Sequence, residues 1–358
     1  DFYYRDGVVT LTNVEAQHGK TKVAIEGVSR MAGGTSSVQL KRLTADNIDF
    51  DQDLLDALPR SLGSALARLG PSGYINMDGV MDLAIASDEG AVPQLEWDLR
   101  FMVVKGSLQA GLKVEHLDGE VRLVGHSDTR NLLCRGELDI ASVMINDLQV
   151  TSIKGPLLID SEQLLAGMWA ERNIPNSRAP RFMTARVFGD GELALDGQLK
   201  FSPAGDFHIQ TSLDHADLAT IVTDLQPSVR GVTGKVSGAV NLDGTTEGVH
   251  TWRGGGQVKL TDAYLYELPA LVSVLQVLSI QRPDRNAFTE SNMEFRIEGD
   301  DLEFTRLDLN GDVISLKGKG RVTGRRELDL KFYTQIGHGE WQIFRPLVVL
   351  NFGADRAV

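Results

Sequence analysis

The stretch LEWDLRFMV at residues 95–103 decides the fold. Leu95, Trp97, Leu99, Phe101 and Val103 alternate with Glu96, Asp98 and Arg100. Successive side chains of a strand point to opposite faces, so this period of two makes one oily face and one wet face. The same alternation places Met81, Leu83 and Ile85 together, then Met293, Phe295 and Ile297 against Glu294 and Arg296, and Leu328, Leu330 and Phe332 against Asp329 and Lys331. Strands buried on both faces of a parallel sheet would read as unbroken apolar runs. The pattern therefore predicts a mainly β protein built on a long, curved antiparallel sheet, with about twenty strand-like segments.

Turn chemistry is consistent with hairpins. Asp6–Gly7, Asp78–Gly79, Asp118–Gly119, Asp190–Gly191, Asp196–Gly197, Asp243–Gly244 and Asn310–Gly311 are dipeptides suited to tight β-turns. They predict a meander in which sequence neighbours are sheet neighbours. The segments 73–85 and 234–244 both read as hairpin-like units. Three segments carry helical spacing instead. Residues 51–69 place leucines near one stripe, split by Pro59. Residues 214–225 open on Asp214 as an N-cap, and 268–280 open on Pro269 at a first helical position. Short amphipathic helices of this kind would cover the ends or edges of the sheet. The proline-bearing stretch 171–181 predicts a boundary or a long loop, and the chain is divided there into an upstream β segment (1–180) and a C-terminal β domain (181–358).

Composition narrows the functional classes. The 358 residues are 42% hydrophobic and 24% charged, with 49 acidic against 36 basic residues and a formal charge of −13. That balance repels phosphate backbones, and no dense Lys/Arg run offers a polybasic membrane patch. Cys134 is the one cysteine, so no intrachain disulfide forms, and the residue reads as a small buried thiol. The seven histidines show no ligand spacing; His116 and His126, with Asp118 and Asp128 nearby, read as solvated residues flanking a hairpin. Neither a nucleophile elbow nor a phosphate loop occurs, and Gly254–Gly256 reads as a close strand contact. Acidic residues such as Asp300, Asp301 and Asp312 read as wet-face charges, not as a glycosidase pair. The expectation is a non-enzyme with no metal and no cofactor.

Residues 230–333 carry a resemblance. RGVTGKVSGAVNLDG, TWRGGGQVKLTDAYLYELPALVSVLQVLSI and FTESNMEFRIEGDDLEFTRLDLNGDVISLKGKGRV resemble the C-terminal region of AsmA-like proteins. The shared features are glycine-rich strands, an L-Y-x-L-P start to a helix (Leu265, Tyr266, Leu268, Pro269), an F-T-E…F-R-I-E-G strand, and a G-x-G strand (Gly318, Gly320). The resemblance implies a repeating β-groove protein of the diderm cell envelope, periplasmic and attached to the inner membrane through a segment outside this chain. It further implies transport of phospholipid or another acyl lipid between membranes, or outer-membrane biogenesis, with inner- and outer-membrane proteins as possible partners and no nucleic acid. Physical chemistry supplies a mechanism: each buried methylene contributes about 0.8 kcal/mol, so a carrier must hide acyl tails on an apolar face. The candidate lining residues are Leu95, Trp97, Leu99 and Phe101, then Val236, Val240 and Leu242, then Met293, Phe295 and Ile297, and finally Leu328, Leu330 and Phe332. In a closed sandwich or barrel the same residues build the core. The alternative function is a scaffold of envelope assembly that binds protein partners through its sheet edges.

Overall fold

The computed structural model describes residues 1–32, 35–57, 60–86, 92–109, 113–128, 131–174, 181–225, 231–264, 288–311, 314–324, 327–336 and 343–352. The chain is mainly β: twenty strands of one sheet, with antiparallel pairing between neighbours, and four short helices among the described residues. It divides into two units, Asp1–Ala185 with Asp196–Phe207, and Arg186–Leu195 with His208–Val358.

The first unit opens with β1 (Phe2–Arg5), β2 (Val8–His18), β3 (Thr21–Ala32) and β4 (Thr35–Asp49). After α1 (Gln52–Ala57) and α2 (Arg60–Arg68) come β5 (Ser72–Ala86), β6 (Gln94–Gln109), β7 (Lys113–Ser127), β8 (Leu132–Ile145), β9 (Leu148–Asp160) and β10 (Gln163–Ala166). Each strand from β1 to β10 pairs with its sequence neighbour, as the meander expectation requires. α3 (Met168–Asn173) leads into β11 (Met183–Val187), which pairs back onto β9, and β12 (Gly191–Lys200) pairs with β10. Leu158, Leu165 and Ala170 form a buried cluster where α3 meets these strands.

The second unit continues from β13 (Asp206–Asp217) through α4 (Leu218–Leu225), β14 (Thr233–Thr245), β15 (Arg253–Tyr264), β16 (Phe288–Glu298), β17 (Asp301–Asn310), β18 (Ile314–Val322), β19 (Leu328–Ile336) and β20 (Ile343–Phe352). From β14 to β20 every strand pairs with the next. Its core gathers Ala216, Leu218, Val232, Val236, Leu260, Ala263, Leu307, Leu309, Leu316, Leu330 and Phe332.

Several local expectations need correcting. Residues 73–85 and 234–244 are not hairpins; they lie within the single strands β5 and β14. Asp78–Gly79, Asp118–Gly119 and Asp196–Gly197 fall inside strands, not in turns. At Gly79 (φ +153°) the reason is close approach: a Cβ would sit 2.1 Å from the Asp98 carbonyl oxygen. Glycine there serves sheet pairing, and the strands run longer than turn signals suggest. Asp6–Gly7 does make the β1–β2 turn, with φ of 51° and 79°. A turn the dipeptide pattern missed is Asn146–Asp147 between β8 and β9, where both φ values are positive. His116 and His126 lie exposed on one strand, β7. The helix expected from Asp214 begins later, because β13 extends through Asp217; Asp217 Oδ1 accepts the Thr220 N–H at 2.9 Å and caps the helix instead. The helical stripe at 51–69 is present as α1 and α2. The segment 268–280, Pro59 and Asp312 lie outside the described residues, as does most of the stretch after α3.

Bulges bend the strands. Asn47 (φ 56°), Lys105 (φ 50°) and His215 (φ 55°) adopt left-handed backbone inside β4, β6 and β13. Register shifts mark the first two, between Ala45 and Ile48 and between Val103 and Gly106. A polar side chain of the adjacent strand takes each displaced N–H: Asn76 Oδ1 accepts from Asn47 at 2.9 Å, Asp118 Oδ1 from Lys105 at 2.9 Å, and Ser237 Oγ from His215 at 3.2 Å. Each bulge adds a local kink and raises right-handed twist.

Candidate functional site, the apolar face

In the first unit, register lines up the oily positions of successive strands. One row reads Leu11, Gly27, Leu40, Met81, Trp97, Gly125, Cys134, Ile159, Leu164 and Leu199. The adjacent row reads Val14, Ile25, Leu43, Gly79, Leu99, Leu123, Gly136, Leu157, Ala166 and Gly197. Neither row contains a charged or polar residue. Together they make a continuous apolar band crossing the strands from β2 to β12. Between β2 and β7 most of its side chains are half-buried: Leu11, Val14, Ile25, Leu40 and Met81 keep contact with solvent, as does Phe101 beside the band, while Leu43 is buried. Leu99 is the exception among the β6 candidates, at 6% exposure.

The opposite face carries the charges, neutralised across strands. Arg122 donates to Asp98 at 2.9 and 2.6 Å, Arg100 lies 3.1 Å from Glu120, Arg42 3.2 Å from Glu26, and Lys154 2.9 Å from Asp139. The Arg122 guanidinium holds the Asp98 carboxyl below its ordinary range. Such cross-strand pairs fix register more than they stabilise.

The band closes towards β8 and β9. Leu132, Cys134 and Ile159 are buried there, with Trp97, Leu123, Leu164 and Phe201 packed against them. Cys134 is 3% exposed, and burial pushes its thiol up to about 11, against the opposing pull of the Trp97 hydrogen bond.

In the second unit the remaining candidates also share one face. Val240 pairs through Gly256 to Phe295, then Phe304, Gly320 and Leu330. Leu242 pairs through Gly254 to Ile297, then Leu302, Val322 and Leu328. Met293 leads through Leu307 and Gly318 to Phe332. Burial is graded along the strands. Val236, Leu330 and Phe332 belong to the closed core beside Leu218 of α4, and Met293 packs against it. Val240, Leu242, Phe295 and Ile297, nearer the other strand ends, are half-buried.

The structure thus gathers the candidates into one face per unit. It adds Leu11, Leu40, Leu43 and Leu123, which single-strand periodicity did not single out. Among the described residues no group of three or more His, Cys, Asp or Glu is placed to hold a metal ion. Asp301 is engaged by Arg321 and by the Gly324 N–H at 3.0 Å, which hold its carboxyl low. No helix among the described residues is long and apolar enough to cross a membrane. No family model, no curated protein and no solved structure matches the chain.

Proposed function

We propose that this protein is a non-enzymatic acyl-lipid carrier of the cell envelope, whose apolar face in the first unit shields phospholipid tails. The observation that supports the reading is the pair of in-register rows crossing from β2 to β7 with no charged member, in which Leu11, Val14, Ile25, Leu40 and Met81 stay half-buried while Leu43 and Leu99 are buried. Apolar surface that keeps contact with solvent over several strands is the kind of surface on which binding sites form. Acyl chains fit because they need area without directed hydrogen bonds, at about 0.8 kcal/mol per methylene hidden. Headgroups would stay in water beyond the band. The resemblance of residues 230–333 to AsmA-like proteins supports the same reading and extends it to a periplasmic location, attachment to the inner membrane outside this chain, and a role in intermembrane phospholipid transport or outer-membrane biogenesis.

The test uses neighbouring residues on opposite faces. Met81→Lys places a cation on the band, whereas Asp82→Lys places one on the wet face opposite Glu96. Lipid extracted from the purified proteins and weighed by mass spectrometry should fall at least tenfold in Met81→Lys and stay unchanged in Asp82→Lys. Absence of bound lipid in all three proteins, or equal loss in both variants, overturns the proposal. A protein without lipid that captures envelope proteins would favour the scaffold alternative.

A further inference from the structure

The long row of the first unit changes character at Trp97. On its β2 side Leu11, Leu40 and Met81 are half-buried, whereas on the far side Cys134 is 3% and Ile159 9% exposed. The change has an identifiable cause. The Trp97 ring reaches over β7 onto Gly125, where a Cβ would sit only 2.7 Å from Trp97 Cζ2. The same side chain packs against the buried cluster of Leu132, Cys134 and Ile159. Phe201 completes the cover, packed against the same cluster as Leu123 and Leu164. The chain carrying Phe201 is strapped at two points: its N–H donates to the Glu162 carbonyl at 2.7 Å, and Arg68 Nη2 of α2 donates to the Ser202 carbonyl at 2.8 Å. Past this cluster the row ends on Leu199, which is half-buried again.

We infer that the Trp97 and Phe201 cluster is a plug that ends the acyl-binding stretch of the first unit, so that Trp97 sets how far along the band a chain can lie. The inference rests on the lipid reading above and adds a limit to it. From β2 to β6 the band crosses about 19 Å at the usual strand spacing. One leaflet's share of a bilayer core is about 15 Å. The open stretch therefore matches a single extended acyl chain lying across the strands. Gly125 matters to the plug because only a residue without Cβ leaves room there for the indole. Removing the ring uncovers Cys134 and joins the stretch to Leu164 and Leu199.

The experiment is a crosslinking footprint with vesicles of palmitoyl-containing phosphatidylethanolamine and phosphatidylglycerol. A photoreactive amino acid replaces Leu40, Met81 or Leu199 in turn, and lipid adducts are read by mass spectrometry. In the otherwise unaltered protein, positions 40 and 81 should capture lipid and position 199 should not. Adding Trp97→Ala should bring position 199 to the level of position 81, and Trp97→Phe, which keeps a ring over Gly125, should leave it silent. Alkylation of Cys134, the one thiol in the chain, reports the plug without lipid: Trp97→Ala should accelerate it at least tenfold and Trp97→Phe much less. Capture at all three positions before any Trp97 substitution overturns the plug but leaves the lipid reading standing. Capture at none overturns the lipid reading itself. Should Trp97→Ala expose Cys134 while position 199 stays silent, the plug is only a core cluster and the inference fails.

Discussion

The two units put the same alternating pattern to different ends. In the first, the row through Leu11, Leu40 and Met81 stays half-buried over several strands and closes only at Trp97 and Cys134. In the second, the row through Val236, Leu260, Ser291, Leu309 and Leu316 is buried at every position, with Ala216 and Leu218 in the same core and exposure returning only towards Leu242 and Ile297. Period-two alternation therefore sets which face is oily, while covering elements decide whether that face becomes a core or a surface. Leu218 shows this directly: it opens α4 and lies within the core cluster of the second unit. In the first unit α1 and α2 are tied near one end instead, where the Leu69 carbonyl accepts the Gln109 N–H at 2.7 Å.

Truncations should separate the two faces most strongly. Leu316 is 1% exposed, and Leu316→Ala should cost about 2–5 kcal/mol, as large-to-small changes in packed cores do. Met81→Ala, on the half-buried row, should cost about 1 kcal/mol, since the methionine hides only part of its surface. Denaturant melts of both variants measure the difference. Equal losses would mean that the faces are alike and would remove the contrast.

Cys134 gives the next largest effect and locates where the first unit closes. Its thiol is raised from an ordinary 9.0 to about 11 by burial, so the folded state binds the proton more tightly than the unfolded one. The stabilisation is complete below pH 9 and is lost as pH rises towards 11, amounting to roughly 2–3 kcal/mol over that window. Stability measured across pH 8–11 should fall more steeply for the parent protein than for Cys134→Ala. Parallel slopes would mean that the cluster beneath Trp97 admits water. A smaller effect is expected at the bulges that bend the first unit. Asp118→Ala removes the acceptor of the Lys105 N–H and should cost about 0.5–1.5 kcal/mol in the same melts. No change would show that the left-handed turn at Lys105 holds without its acceptor.

Much of this was legible in the residues alone, for physical reasons that also explain the failures. Strand alternation at 95–103, 293–297 and 328–332 is a local property, and β6, β16 and β19 lie where it predicts. The leucine stripe of 51–69 is equally local, and α1 and α2 lie where it predicts. Asp–Gly pairs were ambiguous because glycine answers two demands, positive φ in a turn and close approach within a sheet; Asp6–Gly7 meets the first and Gly79 the second. The candidate face was half visible. Trp97 and Phe101 could be assigned to an oily side, but their partners Met81, Gly125 and Val121 depend on register between distant segments. Register here is shifted by bulges at residues such as Asn47 and Lys105, for which the sequence carries no strong mark. Burial was invisible for the same reason. Nothing in the spacing of Val236 or Leu330 distinguishes a residue in a closed core from Leu242, which keeps contact with solvent.

The smallest effect should come from the wet face, and it completes the contrast between the units. Asp98 accepts both bonds of a bidentate pair from Arg122, and that guanidinium depresses its carboxyl below the ordinary 3.8. A depressed acid contributes stability above its unfolded value and loses it as pH falls through the lower folded value. The contribution is therefore present at neutral pH and disappears only below about pH 3.8, while solvent around both side chains keeps it modest. Asp98→Asn should lower stability at pH 7 by less than either Leu316→Ala or Asp118→Ala, and the deficit should shrink in strong acid and in high salt. Arg306 with Glu294 plays the matching part on the wet face of the second unit, at 3.4 Å. If Asp98→Asn and Glu294→Gln behave alike, the wet faces of the two units are equivalent. The difference between the units then lies on their apolar faces, where the row through Val236 is buried and the row through Leu11, Leu40 and Met81 stays half-buried. A large loss for Asp98→Asn alone would instead mean that the charge ladder of the first unit, and not its apolar band, holds those strands together.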